Sequence, residues 1–267
     1  MTGMDDRSRF LAAYDEQLRT DAETPSAASV TTLGPLRLVT FAGGRGFITY
    51  QDLGGADADT IRNLVGTALA HYQANPAITR VEWKTRGHDH TPGLHQSLLD
   101  HGFVPEEPES IMIGEAQRLA VDLAPPKGVI LRPVSQENDV RAMTAMSALA
   151  FGDPPAAAAG MADALLRRLS REDGMELWVA EADGQVVSAG RLEPVPDTSF
   201  AGIWGGSTLP AWRGRGIYRA LTAARARSAL RLGKTFINSD STEYSRPILE
   251  RYGFLKVSTT TPYLWRR

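Results

Sequence analysis

Leu209-Pro-Ala-Trp-Arg-Gly-Arg-Gly-Ile-Tyr218 is the stretch that decides how the rest of the chain is read. A β-rich run from Phe200 to Leu209 meets Pro210, glycines follow at 214 and 216, and a helical pattern runs from Ile217 to Leu232, closed by Gly233. Glycine lets the backbone turn its N–H groups toward one point and lets a ligand come close. The first turn of a helix adds unpaired N–H donors and a partial positive charge. Together they make an anion site suited to a diphosphate, and Arg213, Arg215 and Arg219 add charge beside it. The Lys-Ser/Thr pair of a Walker loop and the third glycine of the dinucleotide fingerprint are both absent.

Working back from this loop, Val129–Pro133 predicts a strand and Glu137–Phe151 a helix with Val140, Met143 and Met146 inward. Met161–Leu169 predicts a second helix. Leu177–Ala180 and Val186–Leu192 predict a hairpin turning at Asp183-Gly184. Forward of the loop come a strand at Phe236–Ser239, a helix at Pro247–Tyr252, and two final strands, Leu255–Val257 and Tyr263–Trp265. Ala124-Pro-Pro-Lys-Gly128 marks a domain boundary. Before it lie a helix at Arg9–Arg19, a loop at Asp21–Ser29, and strands Leu36–Phe41 and Phe47–Tyr50 around a Gly43–Gly46 turn. A helix over Asp57–Tyr72, a strand over Ile78–Lys84, a short helix through Leu94 and Leu99 and a strand from Ile111 complete this half. Leu98-Leu-Asp-His-Gly-Phe103 and Leu249-Glu-Arg-Tyr-Gly-Phe254 align at one constant offset, each preceded by a helix and then a strand. This order predicts a tandem repeat, 1–125 and 128–267, the alternative being coincidence between two ordinary strand–helix units.

The 267 residues, 42% hydrophobic with net charge −2, suffice for a core in each half and give no general attraction to nucleic acid or membranes. No cysteine occurs, which excludes disulfides, a thiolate nucleophile and Cys-based zinc sites and points to a cytoplasmic protein. Met1–Glu16 lacks the apolar stretch of a signal peptide, and no run approaches the ~20 apolar residues of a membrane span. His88-Asp-His90, His95 and His101 lack metal-site spacing, and no Gly-x-Ser-x-Gly elbow occurs. No metal is expected.

From about residue 128 to 267 the chain resembles the GNAT superfamily of N-acetyltransferases. Arg213 and Gly216 match its Arg/Gln-x-x-Gly-x-Gly/Ala loop, Leu131-Arg-Pro133 its opening strand and Gly253-Phe254 the end of its closing helix; Tyr218 departs from the loop pattern. The resemblance implies an α/β (α+β) fold of two tandem GNAT-like domains, each a mixed, mostly antiparallel sheet flanked by helices. It implies acetyl-CoA as cosubstrate. The strand before the loop, at Ser207, Thr208 and Leu209, would bond the pantetheine arm. The amides of Gly214, Arg215, Gly216, Ile217 and Tyr218 would hold the diphosphate, and Tyr218's side chain would point away from it. Counting back from Gly253 puts the family's arm-binding Asn position at Thr242, with Asn238 nearby. Leu249 stands where the family often has its tyrosine acid, so a water or Ser245 would take that role, and Tyr252 would not reach the same point. Glu181, Glu193 and Asp240 are the candidate bases. The implied reaction is direct acetyl transfer to a primary amine, on a small molecule or peptide; a non-catalytic acyl-CoA sensor is the alternative. The first half, with acidic Gln51–Asp59 where the loop would fall, reads as degenerate and silent. One acetyl-CoA per chain is expected, in a monomer (a pseudo-dimer of domains) or a homodimer.

Overall fold

A computed structural model describes residues 5–267; Met1–Met4, the start of the Met1–Glu16 stretch, lie outside the described residues. The chain divides into two compact units. The first holds the chain up to Met112, Asp240–Ile248 and Lys256–Arg267, and the second holds Ile113–Ser239 and Leu249–Leu255. These units differ from the linear halves 1–125 and 128–267, because the strand that ends the chain pairs within the first.

In the first unit, α1 (Asp6–Gln17) is capped by Asp5, whose carboxylate accepts the Ser8 N–H at 2.7 Å. A 3-10 turn at Asp21–Glu23 leads to β1 (Ser29–Leu33), β2 (Leu36–Phe41) and β3 (Arg45–Tyr50), an antiparallel meander. Helix α2 (Ala58–Gln73) then carries the chain to β4 (Arg80–Arg86), which is parallel to β3. Next come α3 (Leu94–Asp100), β5 (Val104–Pro105) and β6 (Glu109–Glu115), of which the unit holds the residues up to Met112. Ile61, Val65 and Leu69 recur at helical spacing on α2 and, with Leu94 and Leu98, cover Leu36, Leu38, Ile48 and Val81.

The second unit takes in the rest of β6, then α4 (Ala116–Leu119), β7 (Val129–Val134), α5 (Glu137–Phe151), α6 (Pro155–Leu169), β8 (Glu176–Ala182), β9 (Gln185–Pro194) and β10 (Phe200–Thr208). Helix α7 (Ile217–Arg231), β11 (Phe236–Ser241) and α8 (Arg246–Arg251) come next. β7, β8, β9 and β10 form an antiparallel run, and β11 is parallel to β10. The alternation of β8 divides its neighbours: Leu177 and Val179 pack with Met143 and Leu165 of α5 and α6, whereas Ala180 and Ala182 pack with Ile217 and Leu221 of α7.

The order β1-β2-β3-α2-β4-α3 recurs as β8-β9-β10-α7-β11-α8. The strand after each is exchanged. β12 (Leu255–Arg266), after α8, lies antiparallel to β4 from Thr260↔Arg86 to Arg266↔Arg80, while β6, after α3, stands beside β11. The two expected final strands are therefore one. Pro262 is tolerated inside it because only its carbonyl is needed there, accepting the Glu106 N–H at 2.8 Å. Two other elements differ from expectation. The exposed, Thr-rich β1 begins where a loop was expected to end, and α6 starts at Pro155, six residues before Met161, through an alanine run with no apolar period. No helix among the described residues is long and apolar enough to cross a membrane.

Candidate active site

β10 and β11 pair only over Phe200↔Phe236, Ala201↔Ile237 and Gly202↔Asn238. β10 runs on to Thr208, so past Gly202 its β11-facing edge has no ladder partner. On its other side it stays with β9, but the register slips between Trp204↔Arg191 and Ser207↔Ala189, a bulge with Gly205 at φ +62°. Buried Ser188 pins the bulged strand, donating to the Ser207 carbonyl at 2.7 Å and lying 2.8 Å from Thr208 Oγ1; Ser207 Oγ meets Ser147 Oγ at 2.9 Å. Leu209 gives its N–H to Val187 at 3.0 Å. Antiparallel partners alternate, so the Thr208 backbone faces away from β9. Accordingly its carbonyl accepts Arg213 Nε at 3.0 Å.

After a 3-10 turn at Pro210–Trp212, Gly214 (φ +74°) and Gly216 (φ +81°) take the left-handed conformation, and α7 starts at Ile217 with no side-chain cap. Among the described residues, the N–H groups from Gly214 to Arg219 have no acceptor. They form a continuous run of donors at the positive end of a 15-residue helix. Arg213 is held by backbone, with Nη2 donating to the Ala150 carbonyl at 3.1 Å, and acts as a staple. Arg215 lies 4.6 Å over the Trp212 ring and Arg219 5.7 Å from that of Tyr252. The Tyr218 side chain turns back onto Gly206, leaving no room there for a Cβ, with Tyr252 6.2 Å away. Burial, with Tyr218 beside it, pushes the Tyr252 hydroxyl above its ordinary pKa against the opposing charge of Arg219 and Arg251. Beneath Tyr218, Arg225 is wholly buried, donating to the Arg191 carbonyl at 3.1 Å; burial lowers its pKa.

The second unit thus gathers Ser207, Thr208, Leu209 and the loop from Arg213 to Tyr218, together with Glu193. Both oxygens of Glu193 are engaged, by Arg191 Nε at 2.9 Å and Arg168 Nη1 at 3.1 Å. Glu181 accepts two bonds from Arg132. Asp240, Thr242 and Ser245 fall in the first unit. There Asp240 pairs with Lys84 at 2.9 Å, while Thr242 is exposed, its Oγ1 3.3 Å from Ser245 Oγ. Leu249 is buried. Asn238, at the last paired position, buries an Oδ1 that has no partner among the described residues. The Gly205-Gly206 pair inside a strand is the local signal of the bulge. No local signal marks Ser188 or Arg225.

The first unit answers these features differently. β3 and β4 pair from Arg45↔Arg80 to Ile48↔Trp83, and charges come after. Arg86 is wholly buried, donating to Thr49 Oγ1 at 2.9 Å and pairing with Glu23; Lys84 lies 3.7 Å from Glu23. Arg19 donates to the Tyr50 carbonyl and pairs with Asp89 at 2.7 Å. Burial alone would raise the Glu23 pKa, but Arg86 first and Lys84 second hold it below the ordinary value. The loop before α2 meets its own amides with carboxylates: Asp52 accepts the Gly54 N–H at 2.6 Å and Asp57 that of Thr60 at 2.9 Å. His88 lies among Asp15, Arg19 and Ser258, while His95 Nδ1 meets the Tyr263 hydroxyl at 2.7 Å.

Residues 143–254 match the model of the Acetyltransferase (GNAT) family. No curated protein matches the chain. Among solved structures, the chain is similar to a GCN5-related N-acetyltransferase from Kribbella flavida (18% identity, 98% of this chain and 96% of that one, TM-score 0.67). It is also similar to a tandem GNAT protein from the clavulanic acid biosynthesis pathway (13% identity, 86% and 78%, TM-score 0.61). A third likeness is to a GCN5-related N-acetyltransferase from Sphaerobacter thermophilus (18% identity, 86% and 76%, TM-score 0.59). With its mixed, mainly antiparallel sheets flanked by helices, the chain shares the fold of these structures, and its residues 143–254 are similar to the GNAT family of acetyltransferases.

Proposed function

We propose that the second unit is an acyl-CoA-dependent N-acyltransferase that moves an acetyl group from acetyl-CoA to a primary amine. The run of unpaired N–H groups from Gly214 to Arg219, at the start of α7 and after an unpaired strand edge, carries this reading. Acetyl-CoA supplies an activated thioester. The amides of Gly214, Arg215, Gly216, Ile217 and Tyr218 hold its diphosphate, with Arg215 and Arg219 contributing field. Thr208 offers backbone to the pantetheine arm, whereas the N–H of Leu209 is already spent. The unpartnered Oδ1 of Asn238 accepts a donor from that arm, replacing Thr242 in the role.

Transfer forms the acyl C–N bond and breaks the C–S bond. The amine loses one proton and the thiolate gains one. Glu193 and Asp240 are tied to arginine and lysine, so water carries both protons. The first unit is silent toward the cofactor, its loop amides capped by Asp52 and Asp57.

A non-catalytic acyl-CoA sensor is the second reading, favoured by buried Leu249 and the engaged carboxylates. Thiol release from acetyl-CoA across an amine panel separates the two. Turnover with any amine supports transfer, and tight binding without turnover supports the sensor.

A further inference from the structure

A cavity of about 130 Å³ lies in the second unit between α5, α6 and the β10 bulge. Its walls include Met143, Phe151, Met161 and Leu165, and Gly205 contributes from the bulge. An engineered apolar cavity of about 150 Å³ in another protein accepts benzene, so this one holds a group about the size of a single ring. Two ionisable side chains reach it, Asp153 and Arg191. Arg191 is committed to Glu193 at 2.9 Å, whereas the carboxylate of Asp153 has no partner among the described residues. Phe151 is 60% exposed and Met161 50%, an apolar surface left open to solvent at the cavity.

Resting on the transferase reading above, we infer that the acceptor is a primary amine on a small apolar body of about one ring. Its ammonium is drawn in by Asp153 and its body is seated against Met143, Phe151 and Met161. A polycation such as an aminoglycoside is poorly matched, since one carboxylate meets it and most of its polar surface would face methionine and phenylalanine. The amine sheds its proton to water before attack. The new C–N bond then forms as the thioester C–S bond breaks, and the thiolate takes a proton from water.

The test uses the full chain with acetyl-CoA, comparing benzylamine and isoamylamine with kanamycin and spermidine by thiol release, and measuring benzylamine binding calorimetrically with CoA present. The apolar amines are expected to exceed the polycations at least tenfold in kcat/KM. Ala158→Trp, which fills the cavity from its lining, is expected to abolish benzylamine binding while the acetyl-CoA Kd holds. Asp153→Asn is expected to raise KM about three- to fivefold with kcat unchanged, as for an exposed ion pair. Turnover of polycations alone, or benzylamine binding unchanged in Ala158→Trp, overturns the inference and leaves the transferase reading standing. Benzylamine binding that Ala158→Trp abolishes, without turnover of any amine, keeps the pocket assignment and removes the transferase reading.

Discussion

β3 with β4 and β10 with β11 are the same arrangement, a short parallel pair whose helix crosses between the strands, yet the two pairs end in opposite ways. Past Ile48↔Trp83 the first unit pairs Glu23 with Arg86 and Lys84, and Arg19 with Asp89. Past Gly202↔Asn238 the second leaves a strand edge, a buried amide oxygen and a run of helix-start N–H groups unanswered. The same contrast holds at the two loops, where carboxylates cap one and glycines open the other. One topology therefore ends either as a self-satisfied core or as an open edge, depending on whether the polar groups at the parting of two strands find partners within the chain.

The largest effect expected from breaking this contrast is at Glu23. Glu23→Gln leaves Arg86 buried without its carboxylate and should cost about 3 kcal/mol at pH 7, measured by urea unfolding. The Glu23 pKa is depressed in the folded state, so its contribution is present above its ordinary value of 4.5 and is lost as pH falls through the folded value. The gap between wild type and variant should therefore close in acid. A gap constant with pH would mean that the pair is not what fills the parting.

On the open side, Gly216→Val forces a branched residue into φ +81° and disturbs the donor run. Acetyl-CoA affinity should fall by about 2–3 kcal/mol, roughly 30- to 150-fold, by calorimetry. Calorimetry on the unmodified chain should give one acetyl-CoA per chain. A stoichiometry of two would erase the functional difference between the units. Leu249→Tyr overpacks a buried site and should lose about 1–3 kcal/mol of stability while acetyl-CoA binding persists. The smallest effect belongs to Ser188→Ala, which removes the pin on the bulge for about 1 kcal/mol, read as a shift in the urea midpoint.

Much of this was legible before folding because the signals are local. The glycine loop, the start of α7 and both ends of α5 come from residues within a turn of one another. The meander around Gly43–Gly46 does too, and a cap at Asp57 or Asp59 is equally local, the fold choosing Asp57. What escaped depends on distance along the chain. Glu23 meets Arg86 across 63 positions and Lys84 meets Asp240 across 156. Glu193 was a reasonable candidate base on its strand; only the fold brings Arg168 to it. A repeat with a constant offset suggests that each half closes on itself, and no local pattern could tell that β12 completes the other copy's sheet.

That exchange imposes an order on synthesis. The place beside β4 stays empty until residues near 260–266 have been made. At about 5–20 residues per second, the ribosome reaches them some 10–40 s after β4 has formed. Through that interval the edge of β4 is an open template for other chains, so the nascent first half carries an unpaired strand edge that the finished chain does not.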